Sequence, residues 1–278
     1  YNTLKDNGMK VFIGTVTTGA CLSVVSQTKA DNMFQITPSA SAAKVIANDN
    51  CFQVCFTDPN QGTASADYIA SKGLATKVAV IYNSSDAYSS GIYDNFKAEA
   101  AAKGLDLVAS EAFTGDSKQD FSSQLSKIKA SGAELIFLPI YYQEASLILS
   151  QAKNAGITAK FFGCDGLDGL LNIENFDKSL AENVMLLTPF AANATDETTK
   201  KFVAAYNAKY DPSTLNQFAA DAYDAVYIVK AAAEKAGITG DMSVSDICNA
   251  LKGAMTEITV DGVTGSGMTW KATGEVNK

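Results

Sequence analysis

The chain has 278 residues, more than one core usually fills, so one large or two medium domains are expected. Its 22 basic residues against 30 acidic ones give a net charge of −8, and all 22 are lysine. With no Arg or His, the chain has no His metal ligand, His general base, Ser-His-Asp or Cys-His nucleophile system, or guanidinium clamp on phosphate or carboxylate. An acidic chain without Arg is also a poor match for nucleic acid, which leaves hydroxyls, backbone amides, aromatic rings and carboxylates to work with.

Strand-like and helix-like segments alternate along the chain. Residues 9–14 predict a short strand, followed by a helical stretch to about residue 32 and a strand over 34–37. A strand over 51–56 leads into a helix over 58–72, opened by Asp58-Pro59, since proline is favoured at a helix start. Then come a strand at 77–82, a helix at 90–103, a strand at 105–112, and a helix at 120–131 with Phe121, Leu125 and Ile128 on one face. A strand at 133–138, a helix at 144–155 and a strand at 160–163 complete this run. The apolar stretches are short and unalternated, as in parallel strands covered by helices on both faces. From about Val184 the rhythm changes. A strand at 184–187 runs into Thr188-Pro189, helices are expected at 196–210, 217–236 and 244–254, and a β-hairpin at 259–270 turns at Asp261-Gly262. The pattern predicts an α/β protein with two sheets rather than one. Residues 58–189 would form one lobe, and residues 1–57 with 190–278 the other.

Cys21, Cys51, Cys55, Cys164 and Cys248 make an odd number. Cys51 and Cys55 fall on one predicted strand, about 13 Å apart at the usual rise, too far to bridge. There is no CxxC pair, so buried thiols are expected, and no metal site. No GxGxxG or GxxxxGK[ST] is present, so no nucleotide cofactor is expected either. No apolar run approaches the ~18 residues of a membrane span, and no signal peptide is visible.

Hydroxyls cluster after two adjacent strands. In Ile13-Gly14-Thr15-Val16-Thr17-Thr18-Gly19, residues Thr17, Thr18 and Gly19 stand at a helix start, where free N–H groups and a hydroxyl suit an anion. Taken alone, this turn reads first as an ordinary Thr N-cap. Thr37-Pro38-Ser39-Ala40-Ser41 follows the next strand, and ligands of open α/β sheets sit at the carboxyl ends of strands. Three strand ends in the other lobe offer Tyr88, Tyr141 with Tyr142, and Asp165. Each taken singly reads as a surface-loop residue, Asp165 as a turn former or a counter-ion to an ammonium. Together the lobes present hydroxyls for an anion and a carboxylate for a cation, the two charges of a free α-amino acid.

These segments resemble the branched-chain amino-acid (Leu/Ile/Val) binding proteins of ABC transporters, over nearly the whole chain. The likeness is carried by the two hydroxyl turns, Cys55-Phe56-Thr57-Asp58-Pro59-Asn60-Gln61-Gly62, Tyr88-Ser89-Ser90-Gly91, Asp120-Phe121, and the run from Ile136 through Pro139-Ile140-Tyr141-Tyr142 to Ala145. Gly163-Cys164-Asp165-Gly166 and Phe218 five residues before Tyr223-Asp224-Ala225 complete it. The resemblance implies a type I periplasmic binding fold, two Rossmann-like lobes with parallel sheets flanked by helices and joined by hinge crossings, closing on one small neutral amino acid, branched-chain or otherwise aliphatic. It implies that Thr18 and Ser41 bind the ligand carboxylate with nearby N–H groups. The Ser39 carbonyl, the Ser41 hydroxyl and Asp165 would hold the ammonium. Ala40 would form wall, Tyr88 and Tyr141 would close over the ligand, and Phe218 would pack against it. Asp165 stands where some members have Glu, a longer reach.

The resemblance further implies an extracytoplasmic protein without catalytic activity that delivers its ligand to a membrane permease. It would sit in the periplasm or on the cell surface as a lipoprotein, and the Cys-Phe-Thr-Asp-Pro version is similar to Gram-positive members. No membrane insertion of this segment is expected, and a lipid anchor would lie on a preceding segment. Members of the family begin with a strand, a helix and a second strand before the stretch matching residues 1–14, and continue beyond Trp270-Lys271, so the chain is expected to be a piece of a longer protein with its first lobe incomplete. Two other readings remain open: an amino-acid-sensing receptor module of the same fold, and an α/β enzyme using Asp165, Asp168 or Tyr141 as acid or base.

Overall fold

In the computed structural model, which describes residues 1–278, the polypeptide separates into two units, each with its own core. Unit 1 comprises Tyr1–Thr57 and Pro189–Lys278; unit 2 comprises Asp58–Thr188.

Unit 1 starts with a short helix that the sequence pattern did not suggest, α1 (Asn2–Asp6), fastened where the Tyr1 hydroxyl and Lys5 meet Asp31 at 2.7 and 2.8 Å. Then follow β1 (Phe12–Ile13), α2 (Thr18–Leu22), α3 (Val25–Ala30), β2 (Gln35–Thr37) and β3 (Cys51–Gln53). The helical stretch expected after Thr17 is broken between α2 and α3, and the strands are shorter than their apolar runs. The three strands form a parallel sheet in the order β1-β2-β3, and β1 reaches only as far as its one partner, with Phe12 opposite Gln35 and Ile13 opposite Ile36. Beyond β3 the contact continues as single bonds, Val54 N–H to Thr37 O and Cys55 N–H to Pro38 O, both 3.0 Å, so Cys55 lies past the strand.

Gln35, wholly buried in the central strand, is satisfied on all sides, as a buried amide must be. Its Nε2 donates to Gly14 O (3.0 Å) and Cys21 Sγ (3.3 Å), while Oε1 accepts from the Thr28 hydroxyl (2.7 Å) and the Cys51 thiol (3.6 Å). All five cysteines are buried and reduced, and burial pushes the Cys51 thiol up to about 12.

Unit 2 runs α4 (Asp58–Ser71), β4 (Lys77–Asn83), α5 (Ala87–Ala102), β5 (Asp106–Phe113), α6 (Ser122–Ser131), β6 (Leu135–Leu138), α7 (Tyr142–Asn154), β7 (Lys160–Gly163) and β8 (Val184–Leu186). The five strands are all parallel, in the order β5-β4-β6-β7-β8. Val78 and Val80 pack under α4 and α5 with Ile69, Ile92 and Phe96, whereas Ala79 and Ile81 pack under α6 and α7 with Leu125 and Ile148. Both faces of β4 are therefore apolar, which is why its sequence shows no alternation. The chain steps outward from β4 to β5 and then returns to β6, so the strand order reverses between β4 and β6.

Unit 1 resumes with α8 (Glu197–Asn207), α9 (Gln217–Ala236), α10 (Val244–Met255), β9 (Thr269–Trp270) and β10 (Val276–Asn277). Ala225, Ile228 and Ala232 of α9 and Ile247, Leu251 and Met255 of α10 cover the face of Phe34, Ile36, Phe52 and Val54. The hairpin expected over 259–270 is reduced to one antiparallel bridge, Val260 with Met268. Side chains take the amides a ladder would use. Asp261 accepts from Gly267 N–H (2.7 Å), and Asp224 of α9 accepts from Val263 N–H (2.9 Å), Thr264 N–H (2.8 Å) and the Thr264 hydroxyl (2.7 Å). The antiparallel ladder is formed instead by β9 with β10, and Trp270 Nε1 donates to Gln53 O at 2.8 Å.

Gly262 completes the clamp, since a Cβ there would fall 2.4 Å from Asp224 Oδ2. Asp224→Ala leaves two buried amides and a hydroxyl without their acceptor, and should lower the unfolding free energy by about 2–4 kcal/mol. Urea unfolding measures this, and Gly262→Ala should shift the midpoint in the same direction.

Candidate functional site

Each unit gathers part of the expected residue set at the carboxyl ends of its own strands. In unit 2, Tyr88 does not sit in a loop after β4 but in the first turn of α5, whose start is set by Asp86 accepting from Ser89 N–H (3.2 Å). That places the ring inward, almost fully buried, where a loop position would have left it wet. Its hydroxyl donates to Asp165 Oδ1 at 2.6 Å and accepts from Gly166 N–H at 2.9 Å. Tyr141, half-buried at the N-cap of α7, stacks on Tyr88 with ring centroids 4.7 Å apart and 20° between planes. Asp165 opens a short 3-10 turn, Asp165–Leu167, directly after β7, and is 2% exposed. The surface-loop reading of Tyr88 and Asp165 is therefore corrected, because hydrogen bonding between them makes burial of both affordable.

Close approach here depends on glycine. A Cβ on Gly166 would lie 2.6 Å from both the Tyr88 hydroxyl and Ile140 O. Burial, and next the charge of Asp165, push the Tyr88 phenol well above its ordinary value, so it stays protonated and acts as donor to the carboxylate. The same two causes raise the buried Cys164 thiol. Gln61 of α4, wholly buried, accepts from Asp165 N–H at 3.3 Å through Oε1, while its Nε2 finds no partner within the chain. Tyr88, Tyr141 and Asp165 follow β4, β6 and β7, and β4 and β6 flank the point where the strand order reverses. Open parallel sheets bind their ligands in the crevice at that point. A shallow groove of about 900 Å³ in the same unit, lined by Leu149, Ile157, Lys160, Phe161 and Val184, lies at the opposite, amino ends of β7 and β8.

In unit 1 the turn after β1 and the loop after β2 are knitted together. Thr18 heads α2, and its Oγ1 accepts from Ser41 N–H (3.3 Å) and Ala42 N–H (3.4 Å). Thr37 Oγ1 accepts from Ala40 N–H (3.0 Å) and donates to Thr15 O. The Ala40, Ser41 and Ala42 amides thus have intrachain acceptors, leaving the Thr18 hydroxyl proton as a donor. Thr17 occupies the N-cap position without a side-chain capping bond, so the plain N-cap reading does not describe this turn. Ser41 Oγ is buried with no partner within the chain, which costs about 1–3 kcal/mol unless another group supplies one. Ser39 Oγ donates to Asp221 of α9 at 2.7 Å. Ala40 is wholly buried against Cys21, Ala42 and Val45, and Phe218 is half-buried at the start of α9.

Asp221, Gln61 and Gly166 were not singled out from the sequence. A signal for Asp221 existed: Gln217, Ala220, Asp221, Asp224, Ala225, Ile228 and Ala232 form the buried stripe of α9, and two acids on such a stripe call for partners.

The sequence profile described as periplasmic binding protein matches residues 1–278. A protein of Brucella melitensis named Leu/Ile/Val-binding protein homolog 3 is 32% identical over 243 residues, covering 86% of this chain and 64% of the relative, so the chain spans just under two thirds of that protein. Among solved structures, the leucine binding protein LivK of Thermotoga maritima superposes with a TM-score of 0.85 at 25% identity, over 98% of this chain and 75% of its own. The branched-chain amino acid transporter substrate binding protein LivJ of Streptococcus pneumoniae, in complex with isoleucine, gives 0.83 at 27% identity over the same shares. With two α/β units of parallel strands and a profile matched from end to end, the chain belongs to the periplasmic binding protein family.

Proposed function

We propose that the chain is the ligand-binding part of an extracytoplasmic solute-binding protein that captures a small neutral α-amino acid, branched-chain or otherwise aliphatic, and delivers it to the permease of an ABC transporter. The observation that carries this reading is the buried Asp165 carboxylate, held by the Tyr88 hydroxyl beside the stacked ring of Tyr141 at the reversal point of the unit 2 sheet. A carboxylate flanked by aromatic rings suits an ammonium group joined to an apolar body. In unit 1 the hydroxyls of Thr18 and Ser41, with Ser39, Ala40 and Phe218, suit a ligand carboxylate. The names of the Brucella relative and the isoleucine complex from Streptococcus support the aliphatic class. Units 1 and 2 act as the two lobes, the protein does no chemistry on its ligand, and it works outside the cytoplasm, in the periplasm or as a cell-surface lipoprotein of the Gram-positive kind. No helix is long and apolar enough to cross a membrane.

Calorimetry on the full-length protein tests the ligand class. Aliphatic amino acids should bind, and sugars and phosphorylated metabolites should not; tight sugar binding without amino-acid binding overturns the reading. Asp165→Asn should weaken amino-acid binding by about 1.5–3 kcal/mol, the range for a hydrogen bond to a charged group. Tyr88→Phe removes the donor to Asp165 and the acceptor of Gly166 N–H. It should lower both ligand affinity and the unfolding free energy, the latter by about 1–3 kcal/mol, as read by calorimetry and urea unfolding on the same preparation.

A further inference from the structure

α9 carries two buried carboxylates into unit 1, Asp221 and Asp224. Asp224 is taken up by the 262–264 loop. Asp221, three residues earlier, is wholly buried and accepts the Ser39 hydroxyl at 2.7 Å. Two separate observations tie Asp221 to the candidate site. Its partner Ser39 lies on the loop that carries Ser41, whose buried hydroxyl has no partner within the chain. Phe218 stands three residues before it on α9, and residues so spaced share a helix face.

A serine hydroxyl has one proton and two lone pairs. With its proton committed to Asp221, Ser39 can offer only lone pairs to an approaching group. Thr18 is arranged the opposite way: two backbone amides occupy its oxygen and its proton is left to donate. The two hydroxyls therefore differ in polarity, one an acceptor and the other a donor. That is the complement of an ammonium and a carboxylate on the same carbon. A hydroxyl donating to a carboxylate also becomes a stronger acceptor, since linked hydrogen bonds polarise one another.

We propose that Asp221 is a positioning residue of the amino-acid site, which locks the Ser39 hydroxyl as an acceptor for the ligand's ammonium group and so selects ligands with a free α-amino group. The inference rests on the amino-acid reading above.

Its test is titration of the full-length protein with leucine, isoleucine and valine, for the wild type, Asp221→Asn, Ser39→Ala and the double variant. Asparagine keeps the size and an acceptor for Ser39 but not the charge. Asp221→Asn should weaken binding about ten- to a hundredfold, Ser39→Ala should cost a similar factor, and the double variant should cost no more than the larger single loss. Selectivity supplies the readout that a purely structural anchor would not move. The wild type should prefer leucine over 2-hydroxy-4-methylpentanoate, which carries a hydroxyl in place of the ammonium, and Asp221→Asn should shrink that preference. Unaltered affinity in folded Asp221→Asn overturns the proposal, as do fully additive losses or an equal loss for leucine and its hydroxy analogue. Should Asp221→Asn fail to fold by circular dichroism, Ser39→Ala decides alone by the same affinity and selectivity criteria. A wild type that binds no aliphatic amino acid overturns the functional reading and this one with it, whereas leucine binding that Asp221→Asn leaves intact overturns this one only.

Discussion

A buried carboxylate must be given donors, and this chain has no arginine or histidine with which to provide them. All of its lysines are exposed or half-buried, so none lies in either core. Yet Asp165, Asp221 and Asp224 are at most 2% exposed. The donors seen around them are hydroxyls and backbone amides: the Tyr88 phenol for Asp165, the Ser39 hydroxyl for Asp221, and Val263 N–H, Thr264 N–H and the Thr264 hydroxyl for Asp224. Each bond joins segments far apart in sequence, so the placing of these acids also fixes α5 against the turn after β7, and α9 against two loops. Desolvation of an ion is costly, and the surrounding structure must be rigid enough to hold each donor in place.

The sheet of unit 2 explains why the donors converge. In a parallel sheet every strand ends on the same edge, and helices on both faces leave that edge as the place where loops meet. β4, β6 and β7 are neighbours across the reversal of strand order, so the segments that follow them bring Tyr88, Tyr141 and Asp165 together from three parts of the chain. Glycine at 166 then permits the phenol to approach the backbone. The three-stranded sheet of unit 1 repeats the logic with smaller groups, the turn after β1 and the loop after β2 being joined through Thr18 and Thr37.

The parallel strands and their helices were legible because apolar runs buried on both faces leave a plain mark in sequence. So was the order of segments at the strand ends. Strand length in unit 1 was not, since β1 can extend only as far as β2 accompanies it, which no local pattern records. The hairpin at 259–270 failed for a related reason: Asp224, more than thirty residues earlier in the chain, captures the amides that would have formed the ladder. Burial of Tyr88 and Asp165 was missed when each was weighed alone, because a polar residue near a strand end is ordinarily wet. Their burial is a property of the pair, and a pair formed across 77 residues becomes visible only in three dimensions.

The same choice of donors bears on how the interior meets a ligand. An arginine paired with Asp165 would neutralise it and occupy both oxygens in a fork, leaving little for anything else to bind. A protonated phenol brings no charge to the carboxylate it donates to, and it sets the stacked rings of Tyr88 and Tyr141 beside that group. Asp221 with Ser39 follows the same rule on α9. A ligand group that met such an acid would stabilise the folded state by mass action as well. A chain that keeps its lysines at the surface and sets its buried acids among hydroxyls and amides holds those acids in place by geometry, with no fixed positive charge in either core.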